Sequence, residues 1–105
     1  MATTTKIHVS QCDNELYILA APSNGAESSE VLHIKSGYND PVDYVIRPQV
    51  CLASGDYNLI MAGINWGGPD AFKVTLTTGG VDTPYKFQGT GTTGVSWSET
   101  VKITV

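Results

Sequence analysis

Three short polar stretches of this 105-residue chain carry the side chains best suited to chemistry. The first holds Asp13, Asn14 and Glu15, the second Tyr38, Asn39 and Asp40, and the third Asn65, Trp66 and Asp70. Carboxylates and amides accept and donate hydrogen bonds in pairs, which matches the adjacent hydroxyls of a sugar. An aromatic ring supplies the complementary surface for a sugar's apolar face. Trp66 lies in Asn65-Trp66-Gly67-Gly68, where the flanking glycines leave an indole face uncovered. The expected binding residues are therefore Trp66, Asn65, Asp70, Asn39, Asp40, Tyr38, Asp13 and Asn14. A competing expectation is that Trp66 folds back to cap the core, because tryptophan strongly favours burial.

Other chemistries fit the residues less well. The acids could instead hold Ca²⁺, which takes six to eight oxygen ligands, but the chain has no linear Ca²⁺ loop. A Cys12–His8 dyad lacks a third group to orient the base. His8 and His33 fall on outward phases and read as solvated, without the further ligands that zinc requires. Gly89 to Gly94 matches G-x-G-x-x-G, yet it precedes Val95-Ser96-Trp97, a strand rather than the helix a dinucleotide site needs. No carboxylates pair as acid and base, and no catalysis is expected.

The elements that must position these residues read as strands. Tyr57 to Ile64 is a nearly continuous apolar run, a strand covered on both faces. Phe72, Val74 and Leu76 alternate with Lys73 and Thr75, a strand with one wet face. Between them, Asn65 to Asp70 contains two glycines and a proline and reads as a hairpin turn. Upstream, Leu52-x-x-Gly55-x-Tyr57-x-Leu59 resembles the tyrosine corner of Greek-key sandwiches, where a buried phenol bonds back to the preceding connection.

Further strands are expected at 3–10, 16–21, 31–36, 42–47, 85–88 and 95–105, with turns or loops at 11–15, 22–30, 37–41, 78–84 and 89–94. The terminal strands 3–10 and 95–105 read as sheet edges. Glu99 falls on the apolar phase of the last strand, so a bulge or bend that turns it to water is expected there. The fold class is all-β: one antiparallel β-sandwich domain over 1–105, Ig-like, Greek-key or jelly-roll, of about eight strands. If consecutive strands alternate in direction, 11–15, 37–41, 65–70 and 89–94 meet at one end.

The net charge is −4, and the six basic residues are dispersed singly, which excludes a phosphate-backbone footprint and weakens any attraction to anionic membranes. No apolar run approaches the ~20 residues that span a bilayer. Cys12 and Cys51 are expected to lie a strand length apart as reduced thiols, which suits a cytoplasmic protein or one released without a signal peptide. The expected function is a lectin-like carbohydrate-binding module, homo-oligomeric to gain avidity. The alternatives are a protein-interaction domain that self-associates through strand edges, and a membrane-active sandwich inserting Trp66, Trp97 or Tyr85.

Overall fold

The structure, a computed structural model, describes residues 2–37 and 40–105. It contains seven strands and one helical turn: β1 (Thr4–Pro22), β2 (Ser29–Ser36), β3 (Tyr44–Ile46), α1 (Pro48–Cys51), β4 (Asp56–Asn65), β5 (Asp70–Thr78), β6 (Val81–Gly89) and β7 (Gly94–Thr104). All the strand pairings are antiparallel.

β1 organises the rest. A straight strand of 19 residues would extend about 60 Å. The molecule's longest dimension is 40 Å, so β1 must bend. It does so after Asp13. Up to that residue β1 pairs with β5 and β3, and from Asn14 onward with β2 and β4. β6 extends the first limb beyond β5, and β7 extends the second beyond β4. The result is one curled antiparallel sheet whose two limbs face each other.

Several sequence expectations change accordingly. Residues 11–15 are not a turn; they are the bend of a continuous strand, so seven strands stand where about eight were expected. Their polarity reflects the open end they cross, not a reversal of the chain. Residues 65–70 do not close a hairpin, since β4 and β5 flank opposite limbs and the connection between them crosses over. Residues 3–10 are an edge only in part, because β5 pairs along one side of them and β3 covers the other side at Ile7–Val9.

The turn expected over 78–84 shrinks to Gly79-Gly80, with φ of 57° and 79°, the left-handed pair a two-residue hairpin requires. Pro84 then sits within β6, an outer strand that tolerates its missing N–H. β3 keeps only three of the residues expected in a strand over 42–47. The bulge in β7 lies between Val95 and Trp97, not at Glu99. Glu99 stays in register opposite Met61, half-buried, on an outer strand where water is close.

Both limbs contribute to one core. Ile7, Val9, Phe72 and Val74 come from the first, and Leu16, Ile18, Leu59 and Met61 from the second. All eight are 0% exposed. Each such burial stabilises by about 1.5–3 kcal/mol before chain entropy opposes it. Phe72 stacks on Trp97 across the limbs, with ring centroids 5.7 Å apart and planes 13° from parallel. Tyr57 donates its hydroxyl to Ala53 O at 2.6 Å, the back-bond expected of a tyrosine corner. Among the described residues, no helix is long and apolar enough to cross a membrane.

Gly63 makes the inter-limb contact close. A Cβ there would stand 2.6–2.8 Å from three atoms of the Phe72 ring. Gly63→Ala is therefore expected to cost about 1–3 kcal/mol through overpacking. Urea unfolding checks this, and an unchanged midpoint would contradict the packing described.

Candidate functional site

The bend of β1, the β4–β5 crossover and the β6–β7 crossover meet at one end of the molecule. Asn65 joins the two crossovers. Its side-chain NH₂ donates to Gly68 O at 2.8 Å and to Thr92 O at 3.0 Å, while its Oδ1 accepts from Gly67 N at 3.2 Å. It is 1% exposed. Its amide is thus committed to holding the loops.

On one side of the bend lies a cleft of about 410 Å³, lined in part by Gln11, Asp13, Asp40, Asp70, Gln88 and Thr90. Asp13 and Asp70 are buried and Asp40 is exposed. Asp40 Oδ2 accepts from Gly37 N at 2.8 Å, and both residues line the cleft. Asp70 accepts a hydrogen bond from Ser96 Oγ through Oδ2. Its Oδ1 is buried without a partner, the one such side-chain atom among the described residues. Burial pushes the Asp13 carboxyl above its ordinary range, with the charges of Asp70 and Asp40 adding to the effect.

On the other side of the bend stands Trp66, 57% exposed. Its backbone N donates to Asn14 Oδ1 at 2.8 Å and its indole Nε1 to Glu15 Oε1 at 3.3 Å. Glu15 Oε2 in turn lies 2.6 Å from His33 Nε2, and His33 stacks on Tyr17 with centroids 3.9 Å apart. The hydrogen bond with His33 holds the Glu15 carboxyl below its ordinary range, although burial opposes this; the Trp66 and Tyr17 contacts add to the lowering. Burial and the Glu15 charge push the Tyr17 phenol up.

Of the expected site residues, Asp13, Asp40 and Asp70 gather at the cleft, and Asn14, Asn65 and Trp66 at the crossover beside it. Tyr38 and Asn39 lie outside the described residues. Glu15, His33 and Tyr17 form a cluster that sequence reasoning did not assemble. His33 is exposed, as expected, and is in addition held by Glu15 and Tyr17. The available signal was the alternation of Glu15, Tyr17 and Leu19 against Leu16, Ile18 and Ala20, which a turn at 11–15 interrupts.

The remaining candidates separate in space. His8 Nε2 lies 2.6 Å from Asp43 Oδ1, at the exposed surface. Cys12 donates its thiol towards Ile34 O at 3.9 Å, and burial, followed by the Asp13 and Glu15 charges, pushes that thiol up to about 12. Both cysteines are free. Trp97 is buried in the core, and Tyr85 packs against it, so of the three aromatics considered for a lipid surface only Trp66 is presented. Residues 89–94 lead into β7, not a helix. Among the described residues, no group of three His, Cys, Asp or Glu side chains is placed to hold a metal ion. No protein-family model, curated protein or solved structure matches the chain.

Two outcomes follow from the electrostatics. Asp13 is harder to ionise when folded than unfolded, so its charge costs stability at neutral pH, and this cost fades as the pH falls into the carboxylate range. Asp13→Asn should therefore raise Tm at pH 7 by more than at pH 4, whereas Glu15, with its lowered value, contributes stability that Glu15→Gln loses at pH 7. Thermal unfolding of both variants across this range measures the two signs. Iodoacetamide at pH 8 should label native Cys51, which is exposed, and spare Cys12 until the protein unfolds; mass spectrometry of the peptides distinguishes them.

Proposed function

We propose that this chain is a carbohydrate-binding module without catalytic activity. In this reading the limbs are the two layers of a β-sandwich, and the end that carries the bend of β1 is the binding surface. The observation that carries it is the state of Trp66: more than half exposed, yet fixed through its backbone by Asn14 and through its indole N–H by Glu15. An aromatic side chain left in water gains nothing from burial, and ordering it costs entropy. A held, uncovered ring is a ready platform for the apolar face of a sugar, because that entropy is already spent before ligand arrives.

The neighbouring cleft complements the platform. Its volume lies in the range of small-ligand sites, and it is lined by carboxylates, which accept hydrogen bonds, and by glutamines, which both accept and donate them. Asn65 serves as a scaffold for Trp66 and not as a contact, because its donors and acceptor are occupied. Single sites of this kind bind weakly, so self-association would raise avidity.

A second reading is self-association itself as the function. β7 is an outer strand eleven residues long that pairs on one side with β4, and such an edge is a template for another strand. Tyr17, Leu19, Ile60, Ala62 and Ile64 also stand half-buried on the outer face of the same limb.

A glycan array probed with multivalently displayed protein separates the readings. Binding is expected to selected glycans and to be lost in Trp66→Ala, whose circular dichroism should match the parent. Silence across the array, with reversible association in analytical ultracentrifugation, would favour the second reading instead.

A further inference from the structure

The cleft beside the bend holds more negative charge than its own residues neutralise. Asp13, Asp40 and Asp70 line it, and among the described residues no lysine, arginine or histidine does. Asp70 is 3% exposed, and its Oδ1 has no hydrogen-bond partner. A buried carboxylate oxygen without a donor is costly, and a water or an ion from outside the chain is one way such an atom is satisfied. Gly89 also lines the cleft, and a Cβ at that position would collide with Asp70 Oδ1. The oxygen keeps its place against residue 89, itself part of the cleft lining, because that residue has no side chain.

We infer that this cleft is a site for a hard divalent cation, Ca²⁺, seated on Asp70 Oδ1 with the Asp13 carboxylate beside it. The donor chemistry selects the ion. Oxygen donors suit Ca²⁺, whereas softer metals want thiolate or imidazole. Cys12 also lines the cleft, but its thiol is directed towards Ile34 O at 3.9 Å. Three carboxylates do not converge on one point. The ion would therefore take carboxylate oxygen from Asp70 and Asp13 and draw the rest of its shell from neutral oxygens, as Ca²⁺ does with amide and backbone carbonyls and water. Gln11 and Gln88 are the amide side chains of the cleft. Few charged ligands imply modest affinity, with a dissociation constant of about 10⁻⁴–10⁻³ M.

The inference stands apart from the sugar reading, and its test contains no sugar. Protein freed of divalent ions with a chelator is titrated with CaCl₂ by calorimetry and unfolded thermally in CaCl₂, MgCl₂ and NaCl of equal ionic strength. One saturable Ca²⁺ site is expected, together with a rise in Tm of several degrees in 10 mM CaCl₂ that NaCl does not reproduce. Asp70→Asn should weaken Ca²⁺ binding at least tenfold while matching or exceeding the parent's Tm without the ion, since it removes a buried charge. Asp13→Asn provides the same test should Asp70→Asn not fold, and Asp82→Asn, an exposed acid bonded to Thr77, should leave the response unchanged. The inference is overturned if CaCl₂ and NaCl act alike, if no saturable heat appears, or if both cleft variants keep the parental response.

Discussion

Four of the other six strands take their backbone hydrogen bonds from β1, and this shared partner is the constraint on which the fold depends. A strand that must pair with β5 along its first half and with β4 along its second cannot remain in one plane. The bend after Asp13 resolves this, and it also brings the two apolar faces together. The inward residues of β1, from Ile7 and Val9 to Leu16 and Ile18, lie on both sides of that bend, so one strand feeds the core from both limbs. Corners made by strands that pass between layers are a recognised way to close such a core.

The same bend creates the candidate site. Where β1 leaves one limb for the other, the ladder of neighbouring strands is interrupted, and the residues there face a cleft on one side and Trp66 on the other. Asp13 and Asn14 are adjacent in sequence but serve different neighbours: Asp13 lies with Asp40 and Asp70, and Asn14 with Trp66. Asp13 in the cleft and Glu15 beside His33 show two responses to removing a carboxylate from water. Asp13 becomes harder to ionise, while Glu15, given a donor, becomes easier.

Much of this was legible in the residues themselves. Alternating and continuous apolar runs located β4, β5 and β7, and the Gly55–Tyr57 spacing anticipated the bond from Tyr57 to Ala53. The meeting of residues 13, 40, 65 and 70 at one end was also foreseen, although from a turn at 11–15 that does not exist. A chain reversal and a strand bent between limbs place residues at the same end, and local polarity does not distinguish them. What remained hidden were long-range facts. No local pattern reveals that β4 and β5 sit on different limbs, because a crossover of four residues and a hairpin draw on the same glycines and proline. Nor does His33 announce that it stacks on Tyr17, since that pairing depends on the register between β1 and β2.

Val105 exchanges two backbone hydrogen bonds with Gly55, each 2.8 Å, at the foot of β4. The candidate site lies at the head of the same strand, ten residues on. A polypeptide or surface tether joined to residue 105 thus begins its path about 30 Å from the indole. Immobilised there, the molecule stands with its polar end pointing outward and unobstructed.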